Sequence, residues 1–177
     1  GSVRVATLDE PRFTGVDIAP MITTPISTVL TRCNRNSQNL YAEALVKRAG
    51  GAMTGQPGSW TNGRAIVRHV VHERLDGRYT SSLSVDDGSG LSRDNRVTAE
   101  MMTAWLASFH ADEALRDVFV NSLAQPDRDG TLQKRFRGVD TGDCAVHAKS
   151  GYINAVSCLS GYCLLYTSPS PRDRSLS

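Results

Sequence analysis

The sequence predicts an α+β fold, a helical layer packed on an antiparallel sheet, and two observations carry that prediction. Apolar residues recur at helical spacing over most of the chain, and from Cys144 the period shortens to two. Helices first and a terminal hairpin last place the helices on a sheet most of whose strands are expected outside this chain. The 177 residues, 40% hydrophobic and 21% charged, are enough for one globular unit and unlike a disordered, collagenous or coiled-coil chain.

The elements follow in order. Ile26, Val29, Leu30 and Cys33 share one helical face, and Leu40, Tyr41, Ala44 and Leu45 begin a second. The polar run Asn34-Arg35-Asn36-Ser37 separates them, so Ser37 is expected at or beside the second helix's N-terminus, its oxygen satisfying an orphan amide. Gly50-Gly51 is expected to close that helix. Ser59 should cap a third helix carrying Ile66, Val67, Val70, Val71 and Leu75, stopped by Gly77. Tyr79 to Val85 reads as a strand, and Asp86 to Asp94 as a loop too rich in Gly and Asp for either regular element. Thr98 can cap a helix with a Met101, Met102, Trp105, Leu106 and Phe109 stripe, and Leu115, Val118, Phe119 and Leu123 mark another that ends by Pro126. The alternation from Cys144 puts His147, Lys149 and Gly151 on one side and Val146, Ala148 and Ser150 on the other. A strand from Val156 to Leu165 follows after only Asn154-Ala155, which calls for a tight hairpin.

Several function classes are disfavoured. Twenty Lys+Arg against eighteen Asp+Glu leave a net charge of +2, scattered rather than gathered into a basic stripe, so no nucleic-acid partner is expected. No apolar run approaches the ~18 residues that span a bilayer, so no transmembrane segment is expected in this chain, and Gly1-Ser2-Val3-Arg4 does not open a signal peptide. Cys33, Cys144, Cys158 and Cys163 form no C-x-x-C pair, which leaves the redox compartment open. His69 with His72, and Cys144 with His147, are conceivable zinc pairs, but neither has a companion carboxylate or second Cys; no metal and no cofactor are expected. A Gly-x-Ser-x-Gly elbow, a Walker-type loop and an EF-hand pattern are all missing.

The strongest chemical candidates are two tripeptides far apart in sequence, Ser37-Gln38-Asn39 and Lys149-Ser150-Gly151. A hydroxyl at Ser37 can relay a proton between a base and a leaving amine, and the Asn39 amide can donate to and accept from a peptide group. Lys149 offers a cation to a substrate carboxylate and acidifies nearby hydroxyls, Ser150 adds a second hydroxyl, and Gly151 lets a substrate backbone lie against the strand. They match two of the three parts of the active-serine penicillin-recognising pattern, Ser-x-Asn and Lys-Thr/Ser-Gly.

Four separated blocks extend the match. Ser37-Gln38-Asn39-Leu40-Tyr41-Ala42-Glu43-Ala44-Leu45 is followed by Asp87-Gly88-Ser89-Gly90-Leu91-Ser92-Arg93-Asp94-Asn95. Next come Gly130-Thr131-Leu132 with Arg135-Phe136, then Ala148-Lys149-Ser150-Gly151 with Leu159-Ser160-Gly161-Tyr162. Together they resemble the C-terminal part of the D-alanyl-D-alanine carboxypeptidase/endopeptidase family, the class C low-molecular-mass penicillin-binding proteins, over about Ile18 to Tyr162. The resemblance implies part of a penicillin-binding or serine beta-lactamase-like transpeptidase fold, truncated at both ends. It implies a serine DD-peptidase of the cell envelope, periplasmic or otherwise extracytoplasmic, acting on peptidoglycan stem peptides through an acyl-enzyme and binding beta-lactams.

By the same resemblance Ser37, Asn39 and Lys149 are catalytic, and Ser150 and Gly151 bind substrate. Ser150 stands where the family usually has Thr, which keeps the hydroxyl. The nucleophile motif Ser-x-x-Lys is missing: Ala44, Thr131 and Val146 stand three residues before Lys47, Lys134 and Lys149, the chain's lysines. The expectation is a nucleophile upstream of Gly1 and an inactive fragment. The alternative is a non-catalytic cell-wall-binding relative that keeps the fold. Residues 1–17 are expected to be a variable edge, 18–163 the partial peptidase domain, and 164–177 a low-complexity tail resembling translated sequencing adapter.

Overall fold

The computed structural model describes residues 19–20 and 22–165. The expectations for residues 1–17 and for all but the first two residues of the 164–177 tail lie outside that range. Five α-helices precede one hairpin: α1 (Ile26–Asn34), α2 (Asn39–Thr54), α3 (Trp60–Arg74), α4 (Ala99–Ala111), α5 (Arg116–Ser122), β1 (Cys144–Ile153) and β2 (Val156–Leu165). The α+β class read from the periodicity is the one observed, and no described helix is long and apolar enough to cross a membrane.

Local chemistry explains most of the boundaries. Ser59 forms a full capping box with Asn62 at the start of α3, and Thr98 accepts the Met101 amide at the start of α4. Gly77, at φ 72°, donates its amide to His72 O and stops the chain after α3.

Two expectations are corrected. Gly50-Gly51 does not end α2, which runs on to Thr54 and is closed by Gly55 at φ 67°. A Cβ on Gly50 would meet the Gly63 amide nitrogen at 2.6 Å, and one on Gly63 would meet Val46 Cγ1 at 2.5 Å. These glycines are helix interior, and their missing side chains let α2 and α3 touch backbone to backbone. Tyr79 to Val85 is likewise no continuous strand. Thr80–Ser82 form a 3₁₀ turn, in which the Thr80 and Ser82 hydroxyls donate to Gly77 O and Tyr79 O. Short hydroxyl side chains satisfied by nearby carbonyls favour a turn over a ladder. Only the Ser84–Arg96 bridge is sheet-like there.

The core lies in two clusters. Val71, Leu75, Leu83 and Met101 bury the seam between α3 and α4, while Ala124, Leu132 and Ala148 bury the inner side of β1. Phe109 of α4 stacks on Phe119 of α5 with centroids 4.7 Å apart, and Tyr162 of β2 donates its hydroxyl to Leu106 O at 2.7 Å, which seats the hairpin on α4. The hairpin register runs from Cys144↔Leu165 to Ile153↔Val156, with Ala155 at φ 67° completing the two-residue turn. Opposite β2, Ala124 and Ala148 exchange both backbone hydrogen bonds, at 3.1 and 2.9 Å, so β1 is paired on both edges where Lys149 begins. Cys144 and Cys163 lie on one face of the hairpin with Cα atoms 5.5 Å apart and are joined by a disulfide, so the Cys144 thiol is not free to pair with His147 on a metal.

Candidate active site

The turn between α1 and α2 carries Ser37. Gln38, not Ser37, is the N-cap of α2, and no side chain caps that helix, which corrects the capping role expected of Ser37. Ser37 adopts φ 55°, the left-handed region that an L-residue with a Cβ enters at a cost of about 1 kcal/mol or more. Its hydroxyl oxygen has a different partner: Lys149 Nζ donates to Ser37 Oγ at 2.9 Å, across 112 residues of sequence.

Lys149 stands on β1 between two flanks that hold the strand. Ala148 is 3% exposed among Ala124 and Leu132, and His147 is 8% exposed beside Gln125 and the Val120 carbonyl. Lys149 is itself half-buried. Besides Ser37, its ammonium donates to the carbonyl of Ser150. Burial holds Lys149 below the usual lysine range, while negative charge at Cys158, across the hairpin, pulls the other way. A desolvated cation within hydrogen-bonding distance of a hydroxyl stabilises that oxygen as its proton leaves, and lowers the barrier to passing the proton on.

The remaining predicted residues are placed around this pair. Asn39 is the first residue of α2 and is exposed, two positions beyond Ser37. Gly151 lies on the Lys149 side of the strand, opposite Cys158, and a Cβ there would meet Cys158 Sγ at 2.6 Å. The alternation puts the Ser150 side chain on the other face. The structure thus brings together Ser37, Lys149 and the Ser150 carbonyl, with Asn39 two positions beyond Ser37 and Gly151 two positions beyond Lys149.

Loop 87–95 is fastened to the same helix. Glu43 Oε1 accepts the amides of Gly88 and Ser89, at 3.2 and 3.0 Å, and Glu43 Oε2 accepts Trp60 Nε1 at 2.7 Å. Burial pushes the Glu43 carboxyl up, but these hydrogen bonds outweigh it and the net displacement is downward. Asp87 organises the loop from within, accepting from Gly90, Ser92, Ser89 and Asn95. Arg93 then reaches the hairpin turn, donating to Asn154 O at 3.3 Å. Among the described residues no group of three or more His, Cys, Asp or Glu side chains converges as a metal site.

In the sequence Asn34 and Arg35 stand out only as part of a polar run, whereas both are long-range anchors of the Ser37 turn. Asn34 Nδ2 donates to Ser122 Oγ at 2.7 Å, and Arg35 pairs with Asp129 at 3.0 Å and also donates to Asn121 O. No periodicity marks such contacts. The only available signal was the density of hydrogen-bonding side chains in four consecutive residues.

Helices laid on an antiparallel hairpin, with a Ser-x-Asn turn facing a Lys-Ser-Gly strand, describe the penicillin-binding class of fold. Two structures of penicillin binding protein 4 from Haemophilus influenzae, one solved with a beta-lactam, superpose with TM-scores of 0.67 and 0.65. They are 24% identical, and the match covers 78% of this chain and 32% and 30% of those. The chain belongs to the D-Ala-D-Ala carboxypeptidase 3 (S13) family, whose model matches residues 2–170. It is 35% identical over 141 residues to a D-alanyl-D-alanine carboxypeptidase of Actinomadura sp. (strain R39) and 32% identical over 154 residues to carboxypeptidase DacB of Mycolicibacterium smegmatis. It is 28% identical over 156 residues to penicillin-sensitive carboxypeptidase A of Dictyostelium discoideum. These alignments take in 77%, 83% and 86% of this chain but only 26%, 32% and 29% of the relatives, so the chain spans about a third of their length or less.

Proposed function

We propose that this chain supplies two of the three active-site motifs of a serine-type D-Ala-D-Ala carboxypeptidase, acting outside the cytoplasm on peptidoglycan stem peptides and acylated by beta-lactams. Residues 18–163 form its share of the peptidase domain, and 164–177 have no part in the chemistry. The observation that carries this reading is the 2.9 Å hydrogen bond from Lys149 Nζ to Ser37 Oγ, which unites the two tripeptides.

In this reading a nucleophilic serine, supplied by a Ser-x-x-Lys motif outside these 177 residues, attacks the carbonyl of the penultimate D-alanine. The C–N bond to the terminal D-alanine breaks as the ester to serine forms, and Ser37, polarised by Lys149, relays the proton lost by the attacking hydroxyl to the departing amine, regaining one proton as it gives up its own. Asn39 binds a peptide group of the substrate, while Lys149 receives its terminal carboxylate along the strand at Gly151. Water then hydrolyses the ester and regenerates the serine. The 177 residues alone form no acyl-enzyme.

Intact-mass spectrometry after incubation with penicillin tests this directly. The complete protein should gain one penicillin mass on a serine outside this chain, and the 177-residue chain should gain none. An unmodified complete protein would overturn the proposal.

A further inference from the structure

Gly130-Thr131-Leu132 forms a 3₁₀ turn that touches both halves of the candidate site, and the chemistry above gives it no role. On one side it meets the Ser37 turn. The Thr131 amide donates to Arg35 O at 3.1 Å, two residues before Ser37, and the preceding Asp129 pairs with the Arg35 guanidinium at 3.0 Å. On the other side Leu132, fully buried, packs with Ala124 against Ala148, the residue before Lys149.

Gly130 makes this double contact possible. It sits at φ 61°, and a Cβ there would run into the Arg35 carbonyl oxygen, meet Arg35 Cγ at 2.8 Å and approach Ala124 Cβ at 3.1 Å. A side chain would therefore be strained by the backbone and would also wedge the Ser37 turn away from β1. Gly138 has a similar φ of 72° with nothing within 4 Å of a Cβ, so it shares the backbone requirement without the contact.

We propose that the Gly130–Leu132 turn is a clasp that sets the distance between Ser37 and Lys149, with Gly130 as its positioning residue. This rests on the reading of Ser37 and Lys149 as an active-site pair, but the geometry can be tested without catalysis. The groups facing Lys149 are the Ser37 hydroxyl from the α1–α2 turn, the Ser150 carbonyl on its own strand and the Cys158 thiol from β2. A loosened clasp admits water to the ammonium.

The test follows the Lys149 Cε resonance against pH in the 177-residue chain labelled with carbon-13 lysine. The chain's lysines are Lys47, Lys134 and Lys149, so the signals are assigned by changing each to Arg. Gly130→Ala should raise the Lys149 titration midpoint towards that of an ordinary lysine, and Gly138→Ala should leave it in place. Asp129→Asn, which breaks the ion pair to Arg35 without adding volume, should move it in the same direction and decides the matter alone if Gly130→Ala does not fold. In the complete protein Gly130→Ala should slow penicillin acylation by about 100-fold, as expected when reacting groups are displaced by roughly 1 Å. A Lys149 midpoint unmoved in folded Gly130→Ala or Asp129→Asn, or moved equally by Gly138→Ala, overturns the clasp. A failure of the parent to acylate would count against the proposed function and leave the titration result standing.

Discussion

Glu43 accepts the Ser89 backbone amide at 3.0 Å and thereby ties loop 87–95 to the helix that begins at Asn39. The same carboxylate also takes the Gly88 amide and the Trp60 indole, so its removal strands three donors at once. Glu43→Ala is expected to cost about 2 kcal/mol in unfolding free energy, and amide hydrogen exchange should lose protection at Gly88 and Ser89 first. Because the folded-state pKa of Glu43 lies below its unfolded value, its contribution is fully present above the unfolded value and fades as pH falls through the folded one. Glu43→Gln should flatten the stability profile in that acidic window, measured by urea unfolding at a series of pH values.

Lys149 is also held below its ordinary value, but here the fold disfavours the charged form instead of favouring it. Burial disfavours its charged form, so the folded chain holds this proton less tightly than the unfolded chain does. Stability should therefore rise with pH from the depressed folded value up to about 10.4, the ordinary lysine value, and Lys149→Met should remove that rise. In the complete protein the same change should cut penicillin acylation by about 100-fold or more, the usual effect of deleting one aligned electrostatic donor, with little change in thermal midpoint. Acylation at the parental rate would refute the role assigned to Lys149.

Gly50→Ala tests the packing of α2 on α3. A methyl group at 2.6 Å from the Gly63 nitrogen must push two backbones apart, which should cost about 1–3 kcal/mol despite alanine's better helix propensity. Gly50→Ala more stable than the parent would show that the helices are not in backbone contact.

The same glycine marks where the sequence stopped being legible. Capping chemistry is local, so Ser59, Thr98 and Gly77 could be read from their neighbours, and the strand period could be read from Cys144 onward. Whether Gly50 ends a helix or admits another depends on Gly63, which lies on a different element. The Ser37–Lys149 pair became legible only because both tripeptides match a known pattern. Arg35, Asp129 and Gly130 belong to no periodic signal and meet only through the fold.

Ser37 combines a strained backbone with a chemical role, so substitutions there should separate stability from activity. Ser37→Gly and Ser37→Ala both remove the hydroxyl that receives the Lys149 hydrogen bond, and both should slow acylation of the complete protein by about 100-fold or more. They differ in the backbone. At φ 55° glycine has no Cβ penalty, so Ser37→Gly should unfold with about 1 kcal/mol more stability than Ser37→Ala in chemical denaturation. Equal stability of the two variants would mean that the Ser37 turn does not hold the left-handed conformation. A fast-acylating Ser37→Gly would mean that the proton travels by another route.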